Sequence, residues 1–161
     1  MKKVVKVTRR KAVGLAVAAS SVVVARASTT AKVKPSREVV QGIGGFFFKA
    51  KDPKKLAAWY DDNLGVTRTP ESYDGTPWRA GPGVTVFAPF EAKTTYFGDA
   101  KYQWMINFRV RNLDRMAKQL RASGITVEVD PQAYPNGRFA KLNDPEGNPI
   151  QLWEPGAGDM E

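Results

Sequence analysis

The stretch NDPEGNPIQLWEP, residues 143–155, contains a turn followed by a strand-like run. Pro145 presets the second residue of a β-turn, and Gly147 accepts the positive φ that the turn requires. The run that follows, about residues 149–154, is apolar enough to form a buried strand. The stretch therefore predicts the last hairpin of a β-sheet, with its turn at residues 144–148.

An internal repeat precedes this hairpin. The segments FFFKAKDPKKLAAWYDDNLGV (46–66) and INFRVRNLDRMAKQLRASGI (106–125) share one plan of strand, helix start, helix and glycine. Asp52-Pro53 and Asn112 are helix-start signals, and a glycine ends each helix. VTVFAP (84–89) and IQLWEP (150–155) match as well. The repeat predicts two copies of one structural unit.

Each predicted helix is followed by three strand-like pieces. These are roughly residues 66–69, 76–80 and 83–88 in the first copy, and 125–130, 137–143 and 149–154 in the second. The sequence thus predicts an α+β fold of two βαβββ modules, about 41–98 and 101–156, within one domain over 41–156. The eight strands are expected to form a curled sheet around a shared cavity, with one main helix outside each half.

Two motifs carry a resemblance to a known family. KDPxxLAxWYxxxLG (51–65) and DPEGNPIxLWEP (144–155) resemble the vicinal oxygen chelate superfamily, which includes glyoxalase I, bleomycin-resistance proteins and extradiol dioxygenases. The resemblance covers about residues 41–156. It implies the fold strongly and the function weakly, because this fold hosts many chemistries.

The resemblance also implies positions for a metal site. Metalloenzymes of the superfamily hold one divalent ion with His, Gln or Glu, one on each of four strands. The corresponding positions here are Gly45, Thr85, Met105 and Gln151, and only the last is a plausible ligand. The chain has no histidine and no cysteine. We therefore expect no divalent metal and no other cofactor.

Strand alternation then predicts the lining of the cavity. Aromatic walls with a few hydrogen-bonding groups are typical of a small-molecule pocket. Lys49 and Arg109, at matched positions of the two copies, would favour an anionic or carbonyl-rich ligand. The alternatives are that these cations reach solvent and that the aromatic residues only fill the core. The predicted lining is Phe47, Lys49, Thr85, Phe87, Gln103, Met105, Asn107, Arg109, Gln151 and Trp153.

The linker between the copies, residues 88–105, is rich in aromatic residues. Together with Trp78 and residues 134–138 it would either cover the pocket or seal the junction between the halves. Members of the superfamily commonly pair as dimers, so a homodimer is expected and some of these aromatics would then lie at its interface.

The first 27 residues have the layout of a secretory signal: a basic start, a weakly apolar run of 14 residues and the sequence Ala25-Arg26-Ala27. Thr8-Arg9-Arg10 resembles a twin-arginine (Tat) signal. A retained membrane anchor is the alternative, but the run is shorter than the roughly 20 residues that span a bilayer. We expect export to the periplasm or beyond in a bacterium, with residues 28–40 as a linker and 157–161 as a tail.

Seven basic residues and no acid lie in residues 1–27, so only two of the nine net positive charges belong to the rest of the chain. A broad basic face for nucleic acid is therefore not predicted. The expected function is metal-free binding of a small aromatic or anionic molecule. One alternative is a divergent lyase or dioxygenase, with Lys49, Tyr96 or Tyr134 as candidate acid–base groups. The other is a dimeric interaction module with a filled cavity.

Overall fold

The computed structural model of the chain describes residues 38–156. The chain divides into two compact units between Gly44 and Gly45, and every helix and strand of the described residues lies in the second unit. The predicted signal (1–27), residues 28–37 of the linker and the tail (157–161) lie outside the described residues. The elements are α1 (Pro53–Leu64), β1 (Ile106–Arg109), α2 (Leu113–Ala122), β2 (Glu128–Val129), β3 (Gly137–Asn143) and β4 (Pro149–Pro155).

Both helices begin where their sequences predict, α1 also ends at its predicted glycine, and α2 is capped by Ser123, one residue before the predicted Gly124. The side chain of Asp52 accepts a hydrogen bond from the Lys55 amide at 3.1 Å, and that of Asn112 accepts one from the Arg115 amide at 2.8 Å. Each bond satisfies an amide that the first helical turn leaves unpaired. Gly65, with φ of 68°, ends α1. Between residues 38 and 156, neither helix is long and apolar enough to cross a membrane.

The four strands form one sheet in the order β1-β4-β3-β2. The central strand β4 pairs parallel with β1, which places Asn107 opposite Gln151. It pairs antiparallel with β3, which places Lys141 opposite Gln151 from the other side. Parallel strands need a long crossover connection, and the segment containing α2, β2 and β3 provides it.

One face of this sheet carries the hydrophobic core. Ile150 and Leu152 of β4 are fully buried, together with Leu113 and Leu120 of α2. Leu56 and Tyr60 of α1, Ala117 of α2 and Ala140 and Leu142 of β3 belong to the same cluster. Burying a Leu or Ile side chain contributes roughly 1.5–3 kcal/mol. Because side chains of both helices belong to this one cluster, the opposite face of the sheet is left for other contacts.

The strands predicted for the first copy are not seen: no strand is present between residues 45 and 105. Within the predicted strands, Pro77 removes a backbone donor from segment 76–80. Gly83, with φ of 127°, gives segment 83–88 a first residue outside the strand conformation. The eight-stranded arrangement is therefore not confirmed. The chain forms a four-stranded α+β sheet with two helices, and the predicted strand 125–130 is shortened to Glu128–Val129.

The turn at residues 144–148 ties α1 to the hairpin. Asp144 is buried and accepts hydrogen bonds from the amides of Glu146 and Asn148, each at 2.9 Å. It also accepts one from the Tyr60 hydroxyl at 3.0 Å. Burial, with the nearby Asp144 carboxylate, raises the pKa of Tyr60 well above its usual value. The tyrosine therefore stays protonated and can donate this bond over the whole physiological pH range.

Candidate functional site

The sheet face opposite the helices carries the candidate site. Residues that alternate with the core positions point to this face: Asn107 and Arg109 on β1, Phe139 and Lys141 on β3, and Gln151 and Trp153 on β4. Gln151 and Trp153 are buried, with exposed fractions of 5% and 6%. Another part of the chain must therefore cover them on this side of the sheet.

The carboxamide of Gln151 is held at both ends. Its oxygen accepts a hydrogen bond from Asn107 Nδ2 at 2.7 Å, and its nitrogen donates one to the Tyr96 hydroxyl oxygen at 2.7 Å. A carboxamide bonded in this way has its donor and acceptor ends fixed in direction. The side chain therefore presents its NH₂ group towards Tyr96 and its oxygen towards β1.

Tyr96 comes from the segment between the two copies and lies over the sheet face. The ammonium group of Lys141 donates to the Tyr96 carbonyl oxygen at 2.9 Å and lies 4.3 Å from the centre of the Tyr96 ring. Phe90 stacks on the same ring, with centroids 5.3 Å apart. A cation over an aromatic face adds an attraction of about 0.5–1 kcal/mol where it is exposed. These contacts hold the segment against Gln151.

An aromatic wall stands beside this group. The rings of Phe139 and Trp153 are parallel within 8° and 6.2 Å apart, and Tyr134 meets Phe139 edge to face at 5.8 Å. The indole nitrogen of Trp153 donates to the Asn136 carbonyl oxygen at 2.6 Å. The Tyr134 hydroxyl donates to Asp130 at 3.0 Å, and this hydrogen bond is the main cause that raises the pKa of Tyr134.

Several of these residues line a concavity of about 580 Å³ together with their neighbours. Small-molecule sites commonly occupy about 300–1,000 Å³ and combine apolar walls with a few polar groups. The lining here has that mixture, with one cation and two carboxylates. Its members are Tyr96, Glu128, Val129, Asp130, Pro131, Tyr134, Asn136, Phe139, Ala140, Lys141 and Gln151.

Four of the ten residues predicted to line a cavity lie on this face: Asn107, Arg109, Gln151 and Trp153. Of these, only Gln151 lines the concavity itself. Arg109 instead donates to the carbonyl oxygens of Gly81 at 2.9 Å and Pro82 at 2.6 Å. Its charge is thereby directed to the turn of the first half rather than to the concavity.

The structure does not bring the first-half residues to this face. Phe47 and Phe87 are 94% and 87% exposed, and Lys49 and Thr85 are exposed as well. Without strands between residues 45 and 105, alternation cannot aim these side chains at a shared cavity. The matched cations Lys49 and Arg109 therefore do not form a pair facing one ligand. Gln103 is exposed, and Met105 lines a different groove beside Trp59 and Phe97.

Phe139 and Lys141 of β3 line the concavity although they are absent from the predicted lining. The predicted lining contains only residues on or beside the strands on which the superfamily places metal ligands. The alternation in GRFAKLN (137–143), with Ala140 and Leu142 facing the core, was the signal that could have found them.

Two of the three candidate acid–base groups, Tyr96 and Tyr134, line the concavity, whereas Lys49 does not. The raised pKa of Tyr134 keeps its hydroxyl protonated at neutral pH, with its hydrogen directed to Asp130. Tyr134 is therefore a hydrogen-bond donor here rather than a proton acceptor.

The four positions implied for a metal do not fit a divalent ion. Gly45 has no side chain, Thr85 is exposed, and Met105 offers only a soft thioether. Gln151 has both ends of its carboxamide in hydrogen bonds with other side chains. Within residues 38–156, moreover, no three His, Cys, Asp or Glu side chains are grouped so that they could hold a metal.

Comparison with known proteins supplies a family. A family model described as a glyoxalase-like domain matches residues 45–153. A Bacillus anthracis protein assigned to the glyoxalase family is 22% identical, with a TM-score of 0.50 over 75% of this chain and 100% of that one. TnmS3, an antibiotic binding protein from Streptomyces sp. CB03234, is 22% identical, with a TM-score of 0.47 over 74% and 100%.

A glyoxalase/bleomycin resistance protein from the same Streptomyces strain is 31% identical over 32% of this chain, with a TM-score of 0.29. The matched part spans 45% of that protein's length. Comparison with curated proteins finds no match. The likeness to the Bacillus anthracis structure bears on the fold alone.

Proposed function

The chain belongs to the glyoxalase-like domain family, within the vicinal oxygen chelate superfamily, and we propose that it binds a small aromatic molecule without a metal. The proposed site is the concavity on the sheet face opposite the helices. The observation that carries the proposal is the carboxamide of Gln151. It is buried and fixed in direction, and in the sheet Gln151 lies opposite Lys141 and two residues from Trp153 of the aromatic wall.

The composition of the site limits the class of ligand. Phe139 and Tyr134 offer aromatic surfaces to a planar ring, and the ammonium group of Lys141 favours an electron-rich ring or a polar oxygen. Glu128 and Asp130 line the same concavity, so a strongly anionic ligand would meet repulsion. The ligand that fits best is an aromatic compound with one or two oxygen substituents, neutral or singly charged.

The binding proposal is tested by NMR on ¹⁵N-labelled mature protein with a panel of small aromatic compounds. We expect saturable shifts of the side-chain amides of Asn107 and Gln151 and of the Trp153 indole. Shifts confined to residues of α1 and α2 would contradict the site. Absence of any saturable shift would favour the interaction module with a filled cavity, and turnover of a bound compound would favour the enzyme.

A metal-free role is part of the proposal, and the misfit of the four implied ligand positions supports it. The test is the metal content of untagged protein purified without chelator. We expect far less than one metal ion per chain and no rise in melting temperature with Ni²⁺, Zn²⁺, Fe²⁺ or Mn²⁺. A content near one metal ion per chain would contradict the metal-free role. Other donors, such as Glu154, would then be the candidate ligands.

The two-module, eight-stranded arrangement and the homodimer also belong to the proposal. The hydrogen bonds from Arg109 to Gly81 and Pro82 support the two-module arrangement, because they place the turn of the first half next to β1. The homodimer rests on the resemblance to the superfamily. Hydrogen–deuterium exchange tests the strands: slow exchange at residues 84–88 would support them, and exchange at the rate of a free chain would contradict them. The mass of the particle in solution, measured by light scattering, tests the dimer.

Export completes the proposed role, and the signal-like sequence of residues 1–27 supports it. Expression of the full chain in a bacterium should yield periplasmic protein beginning at Ser28, which intact-mass spectrometry detects. Replacing Arg9 and Arg10 by Lys should block this if the twin-arginine route is used. Uncleaved protein in the membrane fraction would support the anchor instead.

A further inference from the structure

Tyr96 is bound to the sheet face as a separate ligand would be. Its hydroxyl oxygen accepts from Gln151 Nε2 at 2.7 Å, and its ring lies 4.3 Å from the ammonium group of Lys141. A third contact is the stacked ring of Phe90. The side chain is nonetheless 40% exposed, and it belongs to a segment, residues 90–101, that contains turns but no helix or strand.

Gln151 is the buried partner in this arrangement. Only 5% of Gln151 is exposed, and Asn107 binds its carboxamide oxygen. The NH₂ group of Gln151 is therefore directed away from β1, towards Tyr96. Without the Tyr96 hydroxyl, that donor would face the concavity with no protein acceptor. Leaving a buried donor unpaired costs about 1–3 kcal/mol. A ligand that replaces Tyr96 must therefore bring an oxygen to the same place.

From this geometry we infer that the place which the Tyr96 side chain holds at the edge of the concavity takes a hydroxyaryl compound, and that this compound displaces Tyr96. The inference rests on the proposed function and names its ligand class. The hydroxyl of the ligand accepts from Gln151 Nε2, its ring lies under the Lys141 ammonium group, and its remaining bulk extends towards Phe139. Tyr96 and its segment then move away from the face as a lid.

The segment that carries Tyr96 determines how strongly Tyr96 competes with a ligand. A group held on a short flexible segment competes at an effective concentration in the millimolar range. The apparent affinity of a ligand falls by the fraction of molecules whose site is free. If Tyr96 occupies its place in about nine molecules of ten, removal of its side chain strengthens hydroxyaryl binding about tenfold.

The experiment uses 4-methylphenol, which is the tyrosine side chain as a free molecule. Toluene lacks the hydroxyl, and 4-methylbenzoate carries a carboxylate in its place. Each is titrated by NMR into the wild-type chain and into Tyr96→Ala. We expect 4-methylphenol to bind Tyr96→Ala about tenfold more tightly than wild type, and more tightly than either other compound. Tyr73→Ala is the matched control, because Tyr73 is fully exposed, and it should behave as wild type.

Three results would overturn the inference while leaving the proposed function standing. They are equal binding of 4-methylphenol and toluene to Tyr96→Ala, tighter binding of 4-methylbenzoate, and equal affinity of 4-methylphenol for wild type and variant. If Tyr96→Ala fails to fold, Tyr96→Phe provides the test. This variant keeps the ring but cannot compete for the Gln151 NH₂ group, so 4-methylphenol should bind severalfold more tightly than to wild type. An unchanged affinity would refute the inference. If no compound binds any folded variant, the proposed function fails as well.

Discussion

The two carboxylate oxygens of Glu146 accept hydrogen bonds from the backbone amide of Lys51 at 3.0 and 2.8 Å, across 95 residues of sequence. One of these oxygens also accepts from the Asp52 amide at 3.0 Å. The turn of the last hairpin therefore supplies acceptors to the amides just ahead of α1. Together with the bond between Asp144 and Tyr60, this contact fixes both the start and the middle of α1 to the turn.

Glu146→Gln should lower the melting temperature at neutral pH, because a neutral amide is a weaker acceptor for the two backbone amides. Those amides hold the pKa of Glu146 below its ordinary value of 4.5. Stability from a lowered carboxyl pKa is fully present above pH 4.5 and is lost as the pH falls through the lower folded-state value. The difference between variant and wild type should therefore shrink below pH 4.5, as thermal unfolding at a series of pH values would show.

Glu71→Gln is the control for this pH series. Glu71 is exposed and lies in the segment without helices or strands, so its replacement should leave the melting temperature unchanged from pH 3 to 8. An equal pH dependence in the two variants would show that the Glu146 contact does not stabilise the fold.

Tyr60→Phe should reduce the free energy of unfolding by about 1–3 kcal/mol, because a buried acceptor loses one of its donors while the ring packing is kept. Asp144 keeps its bonds to the Glu146 and Asn148 amides, which places the expected loss in the lower part of that range. Urea unfolding measures it. Tyr73→Phe, at a fully exposed position, should change nothing, and an equal loss in both variants would contradict the prediction.

Gly137→Ala should destabilise the β3–β4 hairpin strongly. Gly137 has φ of 122°, and a Cβ there would collide with the carbonyl oxygen of Glu154 and approach the Trp153 indole nitrogen to 2.9 Å. We expect a loss of at least about 2 kcal/mol in urea unfolding. The matched substitution Gly81→Ala meets nothing within 4 Å and should change stability by less than about 0.5 kcal/mol.

Asn107→Ala should weaken binding of aromatic compounds about fivefold, because loss of one hydrogen bond of about 1 kcal/mol frees the Gln151 carboxamide to turn. The melting temperature should fall as well, because the buried Gln151 oxygen loses its donor. NMR titration of both proteins measures the ratio of affinities. Gln119→Ala, on the exposed side of α2, should bind as wild type does, and wild-type affinity in Asn107→Ala would remove Gln151 from the site.

The helices and the last hairpin could be predicted because their signals are local. Asp52 and Asn112 cap their own helices, and the turn at residues 144–148 needs only its own proline and glycine. The core face of β4 followed from alternation, which placed Ile150 and Leu152 on one side and Gln151 on the other.

The first half was harder to predict because strand pairing depends on distant residues. The repeat makes 46–50 and 84–88 look like copies of β1 and β4, yet a strand forms only where a neighbouring strand supplies hydrogen bonds. Of the segments predicted to supply them, 76–80 contains Pro77, which has no backbone donor. Arg109 was predicted on the correct face of the sheet. Its hydrogen-bond partners could not be predicted, because they are backbone carbonyl oxygens, which every residue has.

The position of β4 in the sheet has a consequence for the order of synthesis. β4 makes two of the three strand pairings, and its residues 149–155 leave the ribosome after all the elements that pack on them. Until then, α1 and α2 can pack only on each other and on the short pair β2–β3. The apolar surface buried in this way is too small to keep these elements folded. The nascent domain should therefore be cleaved readily by proteases until β4 emerges. The whole domain should then become protease-resistant in a single step.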